Sequence, residues 1–497
     1  MESNYGSSSC SMFYNSLAQE VVRYSEDYVE NGVEKILACL KYINIRCTGT
    51  KCPCRDPQMH RILLDRLISQ FPGCLQDKDE AHIAFVAGKE GYKIISHFFK
   101  LPFRTLMIYE RIKMYPGLNV NIVDTLKKYI SRNVDVKDRL ITLIFNEMSV
   151  VPHLKYVPRR GLLSGFEDKG YAKMYKKADC AQLFVVRSLY KNWKIPVSYV
   201  FSKGQTNSST KVKYIKKIVR KLTEIGFVVA ALICDDSGTN CAAIEMLLED
   251  STRQYIAENR KPKENIIRID ECEIVPIYDI SHLIKTVRNH LLNQNLKFVF
   301  KGETLTANWE DIKTTYSIVL NSNLSSGFLE KFTTKHVYPE MMDVSTAVQV
   351  FNEKIGGYMN LLIDCKLSYP NGPQFTLESK GTVALFYNTG ILYESLNIGL
   401  MKTGYMKSKR CIATHHLRLW HEAEEVVKTM RFVSGENEIR PPVLNNILTT
   451  IKGFINLQSI LLKKRDIDYL PTKHFSQGSI EDSFPQLRLT QLAIAKK

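Results

Sequence analysis

FVVAALIC, residues 227–234, is apolar at every position, as a strand buried on both faces must be, and the next residue is Asp235. Just upstream, a helix is predicted over 208–225. Ile215, Ile218, Val219 and Leu222 fall on one of its faces, leaving Lys213, Lys216, Lys217 and Arg220 for solvent or phosphate. For this helix alone, a solvated face is the plainer reading. Further back come strand patterns at Val197–Phe201 and Gln182–Leu189, and a hairpin-like stretch through Gly161–Phe166. Leu140–Val151 (LITLIFNEMSVV) is the first strand of the set. Three strands, a helix and a buried strand define an α/β region, an order that many α/β folds share.

The rest of the chain bounds the reading. At 497 residues it calls for two to four domains. A net charge of +17 favours a polyanionic partner. The chain has no apolar run long enough to span a membrane, and its start lacks a signal-peptide pattern, so an intracellular, nuclear location is expected. Twelve cysteines, mostly scattered singly, suit reduced thiols. Cys47, Cys52, Cys54 and His60 could hold zinc, or the thiols could sit free in a loop, since no second ligand pair follows at finger-like spacing. Residues 60–133 read as helical. Within them, Glu80–Tyr109 suits either a helix-turn-helix or a plain bundle.

Several motifs then occur in order. They are Phe145-Asn-Glu-Met148, Gly165-Phe-Glu-Asp168 and Cys234-Asp-Asp-Ser-Gly-Thr-Asn240. Tyr278-Asp-Ile-Ser-His-Leu-Ile-Lys-Thr-Val-Arg-Asn289 comes next, with Val299-Phe-Lys-Gly302, Trp309 and Lys335-His336 after it. The last is the block Tyr469–Phe484 (YLPTKHFSQGSIEDSF). Over about residues 80–485 the chain resembles the P element-type and THAP-type DNA transposases, and the Asp279–Asn289 signature is the most specific piece. The THAP zinc module has no counterpart in the cysteine and histidine spacing, and both ends read as shorter than the family pattern.

The resemblance implies an RNase H-like mixed sheet interrupted by a large, mostly helical insertion and preceded by a helical region. The expected division is a variable segment 1–58, a helical region 59–135, a core over 136–275 and 441–497, and a GTP-binding insertion over 276–440. The family is a cut-and-paste transposase with GTP as cofactor, whose acids bind two divalent metals such as Mg²⁺. By resemblance, those acids belong at 146, 235, 478 and 481. Asp235 and Glu481 are acids, whereas Asn146 and Gly478 are not. An amide lacks the charge that offsets repulsion between two metals, and Glu147, next along a strand, points to the opposite face. Asp279, Lys285 and Asp343 are the expected nucleotide contacts, although no Gly-x-x-x-x-Gly-Lys loop is present.

The expected function is therefore a transposase-derived DNA-binding protein with lost cleavage and strand transfer. DNA, GTP and a second copy of the chain are its expected partners. The alternatives are an active, GTP- and metal-dependent transposase and a GTP-regulated scaffold without DNA affinity. All depend on 146, 235 and 481 converging at one sheet edge, within roughly 12 Å for groups sharing metal ions.

Overall fold

The computed structural model describes residues 116–131, 135–157, 162–191, 193–321, 332–365, 375–376, 378–397, 409–463 and 470–478. The expected N-terminal segment, the cysteine cluster, the Glu80–Tyr109 helices and Glu481 lie outside the described residues. The chain divides into compact units at residues 1–113 and 114–497, and the described residues all belong to the second.

Its elements begin with β1 (Gly117–Leu118), α1 (Val120–Ile130), β2 (Leu140–Ser149) and the small hairpin of β3 (Lys155–Val157) and β4 (Leu162–Ser164). Next come β5 (Phe166–Asp168), β6 (Lys173–Lys177), β7 (Cys180–Ser188) and β8 (Lys194–Ser202). The helix α2 (Ser208–Glu224), β9 (Val228–Cys234), α3 (Gly238–Ala257), β10 (Ile267–Ile269) and β11 (Cys272–Tyr278) complete the first pass. Together the strands form a mixed sheet in the order β10-β11-β9-β2-β7-β8-β5-β6, with β1 beside β8. β9 lies parallel to both β2 and β11, while β2, β7 and β8 run antiparallel. β9 is central in the sheet and its side chains are buried on both faces, which is why FVVAALIC carries no polar residue.

The expected boundary at 135 falls too late. Gly117 and Leu118 pair with Tyr199 and Ser198, so the chain joins the sheet before α1. Two residues are too few to show strand periodicity. α1 buries Ile122, Val123 and Leu126 and sets Tyr129 against Trp193 and Phe227. β5, β6 and β10 also carry no strand pattern in the sequence, being short or fully exposed. α2 buries Ile215, Ile218, Val219 and Leu222 as its pattern requires, about 1.5–3 kcal/mol for each side chain at most. Its polar face is partly spent internally: Lys216 pairs with Asp250 and Arg220 with Asp270.

A helical excursion separates the first pass from its return. It holds α4 (Ile280–Leu291), β12 (Asn295–Phe300), β13 (Glu303–Ala307), α5 (Glu310–Asn321), α6 (Thr334–Val337), α7 (Val344–Val350) and α8 (Glu353–Asp364). Then come α9 (Ser379–Ser395), α10 (Lys409–Thr429), β14 (Arg431–Ser434) and β15 (Asn437–Ile439). Its four strands make a separate sheet, β13-β12-β14-β15. The chain then returns through α11 (Pro442–Leu457), which lies close on β11. At Gly453 an added Cβ would come within 2.8 Å of the Pro276 carbonyl, so only glycine allows that approach.

Among the described residues, no helix is long and apolar enough to cross a membrane.

Candidate functional site

Strand register carries three side chains to one end of the sheet. β2 pairs Ile144 with Ile233 of β9, and β9 pairs Cys234 with Tyr278 of β11. One or two residues further on, Asn146, Asp235 and Asp279 follow on adjacent strands, spaced about 4.8 Å from strand to strand. Positions 146 and 235 thus follow paired residues of adjacent strands at this end of the sheet.

The C-terminal block returns to the same place. Gln477 is fully buried and donates its backbone N–H to Asp279 Oδ2 at 2.6 Å. Its side-chain Oε1 accepts from Asn146 Nδ2 at 3.0 Å. Three anchors hold the block there. Thr472 Oγ1 donates to the Ser395 carbonyl, His474 Nδ1 donates to the Leu189 carbonyl, and Phe475 packs edge-on against Phe454 of α11. Gly478, the second degenerate position, directly follows Gln477 and is exposed.

Asp235 is held from behind. Its Oδ1 accepts from Ser237 N at 3.0 Å and from Asn240 Nδ2 at 2.7 Å. Asn240 is fully buried, and its Oδ1 accepts from Lys211 Nζ at 2.6 Å. Lys211 also donates to Thr239 Oγ1 and lies 3.3 Å from Glu147 Oε2. Glu147 Oε1 in turn accepts from Thr206 N at 2.6 Å. Neighbours on β2 therefore diverge as pleating requires: Asn146 turns to the C-terminal block and Glu147 to Lys211. The carboxylate beside Asn146 is committed to an internal cation.

Among the described residues, the donor set does not suit a two-metal centre. Asn146 presents an N–H where a metal needs an oxygen, and its own Oδ1 accepts from Glu147 N at 2.7 Å. Among the described residues, no three His, Cys, Asp or Glu side chains cluster in a metal-binding arrangement.

Asp279, Lys285 and Asp343, the expected nucleotide contacts, lie on or at the starts of α4 and α7. Asp279 is buried and caps α4, its Oδ1 accepting from Ser281 N and His282 N while Oδ2 holds Gln477. Both oxygens are engaged in the fold, one at the start of α4 and the other at the C-terminal block. Asp343 caps α7 through Thr346 N, a bond that lowers its pKa below the usual carboxylate range. Lys285, half-buried on α4, has no hydrogen-bond or ion-pair partner among the described residues.

Two residues of the site, Lys211 and Gln477, escape sequence reasoning. Lys211 heads a lysine-rich helix whose sequence reading assigns it no face, and it sits one turn from Ile215 on the buried side. Gln477 lies within the last motif without a role attached to it. A glutamine beside the two acid positions is the signal that could have found it.

Comparisons with known proteins bear on the fold. Residues 114–248 match the TNP-like RNase H N-terminal domain family. The Transposable element P transposase of Drosophila melanogaster is 28% identical over 219 residues, covering 43% of this chain. The chain spans only 25% of that relative's length. The Drosophila P element transposase strand transfer complex superimposes with a TM-score of 0.61 at 20% identity. That match covers 90% of this chain and 92% of that one, and it shows the shared fold.

Proposed function

We propose, from the match of residues 114–248 to the TNP-like RNase H N-terminal domain family and the identity with a P element transposase, that the chain is a transposase-derived DNA-binding protein that has lost cleavage and strand transfer. The observation that carries this reading is the amide pair between Asn146 and Gln477 at the end of the strands that present Asp235. In-line attack on phosphate by two metals needs converging carboxylates. Here one position is an amide bonded to another amide, and the next carboxylate, Glu147, is tied to Lys211. DNA as partner follows from the relatives and from the net charge of +17.

The test is a supercoiled-plasmid nicking assay with Mg²⁺ or Mn²⁺ and a parallel DNA-binding titration across salt concentrations. The expected result is salt-dependent binding without nicking, and nicking in the Asn146→Asp, Gly478→Asp double variant. Metal-dependent nicking by the parent protein that vanishes in Asp235→Ala would establish the active-transposase alternative instead.

A further inference from the structure

The hairpin of β5 and β6 is the most exposed part of the sheet. Every residue of Lys173–Lys177 is exposed, and β6 is an edge strand. Tyr175 is 93% exposed and Tyr171 67%. Lys176 and Lys177 have no ion-pair partner among the described residues, while Lys173 lies 3.3 Å from Asp168 and is itself well exposed.

Tyr171 is braced, and Tyr175 has one ring neighbour. The Tyr171 ring stacks on Tyr214 at 6.2 Å, Tyr214 on Phe184 at 5.8 Å and Phe184 on Phe145 at 6.1 Å, linking the surface to the core strand β2. Tyr175 stands edge-on to Phe166 at 5.6 Å. The hairpin turn is fixed as well. Gly170 has φ +74, and a Cβ there would lie 2.5 Å from the Pro116 carbonyl. Large aromatic surfaces held in place before a partner arrives lose little conformational entropy when something stacks on them.

Position adds to the case. Asp168 pairs with Phe201, Phe201 with Ala181 and Ala181 with Met148, so the hairpin stands at the same end of the sheet as Asn146. β6 runs back past the end of β8, with Lys177 opposite Phe166. Four strand spacings separate β6 from β2, roughly 19 Å. That is about five to six base pairs along a duplex at 3.4 Å per pair.

Resting on the DNA-binding reading above, we propose that the β5–β6 hairpin is a contact surface for DNA with unpaired bases, such as a single strand or a frayed end. Tyr171 and Tyr175 stack on bases, and Lys173, Lys176 and Lys177 neutralise the flanking phosphates. Bases inside an intact duplex offer no open face, so the rings favour unpaired DNA while the lysines serve either form.

The experiment measures binding of the full chain to a single-stranded 20-mer and to its duplex. Three variants are compared: Tyr171→Ala/Tyr175→Ala, Tyr171→Phe/Tyr175→Phe and Lys176→Gln/Lys177→Gln. Thermal melting confirms that each folds like the parent. The alanine pair is expected to lose roughly tenfold or more in single-strand affinity with a smaller duplex loss, and the phenylalanine pair to retain it. The glutamine pair should weaken both forms and flatten the salt dependence of single-strand binding by about 1.4 in log–log slope, at about 0.7 for each phosphate contact. No DNA binding by the parent overturns the functional reading itself. Parent binding that all three variants match overturns the hairpin alone. So does a glutamine pair that self-associates with unchanged DNA affinity, because lysines on an edge strand would then serve only to block strand pairing.

Discussion

Asn146 and Gln477, 331 residues apart, are joined by a hydrogen bond of 3.0 Å from amide to amide. The bond leaves Gln477 Nε2 buried with no acceptor. An unsatisfied buried donor costs about 1–3 kcal/mol, so the pairing is not the best this site could make. In the Asn146→Asp variant a carboxylate replaces the amide. Gln477 can then turn its amide by half a rotation and donate from Nε2. The same carboxylate faces Asp235 from the adjacent strand, and two like charges at that spacing repel each other. The variant is therefore expected to respond to divalent cations where the parent does not. Millimolar Mg²⁺ should raise its melting temperature by a few degrees, the equivalent of about 1 kcal/mol, and leave the parent unchanged. An equal shift in both proteins would show that the parent already binds metal here.

Lys211 offers a second test, because its ammonium is fully buried and satisfied by three partners, Thr239, Asn240 and Glu147. Lys211→Met strands the Glu147 carboxylate and the Asn240 carbonyl together. Removing one member of a buried pair costs about 3–5 kcal/mol. Adding Glu147→Gln removes the stranded charge, so the double variant should recover about 1–3 kcal/mol relative to additivity. Urea unfolding of the four proteins in the cycle measures this coupling. A coupling near zero would mean that Glu147 is held by Thr206 alone.

The sheet is legible in the sequence where its strands are long and mostly apolar. LITLIFNEMSVV and FVVAALIC mark β2 and β9 to within about two residues at each end, since a strand buried on both faces leaves an unmistakable pattern. The Asn146 and Asp235 juxtaposition is legible for a related reason: both follow such runs, and register does the rest. Strands at the margin leave no comparable trace. β6 is exposed at every position, and β1 has two residues, so neither shows an inside and an outside. The burial of Lys211 is not legible, because lysine is almost never buried without a partner, and its partners come from β2 and α3. By motif, Asp279 reads as a nucleotide contact. Its engagement with Gln477, 198 residues away, is a tertiary fact that local sequence cannot carry.

In the helical excursion, Arg288 makes the corresponding commitment. Its guanidinium is fully buried and donates to the carbonyls of Glu340, Met341 and Asp343, to Thr346 Oγ1 and to Asn289 Oδ1. Burial lowers its pKa from the ordinary arginine value. A lysine has three donors on one atom and cannot reach this spread of acceptors. Arg288→Lys should destabilise the 340–350 segment by about 2–4 kcal/mol through carbonyls left without donors. Hydrogen exchange is the suitable readout, with amides of α7 expected to speed up while those of β2 and β9 hold. Uniform acceleration across both regions would show that the excursion and the sheet unfold as one unit.

His474 ties the docking of the C-terminal block to pH. Burial first, and then the positive charge of Arg187, depress its pKa from 6.5 to about 4. Its Nδ1–H donates to the Leu189 carbonyl in the neutral form. In the unfolded chain the imidazole takes a proton near pH 6.5, whereas in the folded chain it resists until about pH 4. The folded state thus binds fewer protons across that window, and stability falls as the pH is lowered. The contribution is complete above pH 6.5 and is lost progressively towards pH 4, amounting to roughly 3 kcal/mol. Because the block carries Gln477, acid should release the Asn146 pairing before the sheet itself opens. His474→Gln keeps a donor for Leu189 but cannot be protonated, so its melting temperature should fall less than that of the parent between about pH 7.5 and pH 5. Parallel decline of the two proteins over that range would place the acid sensitivity elsewhere in the fold.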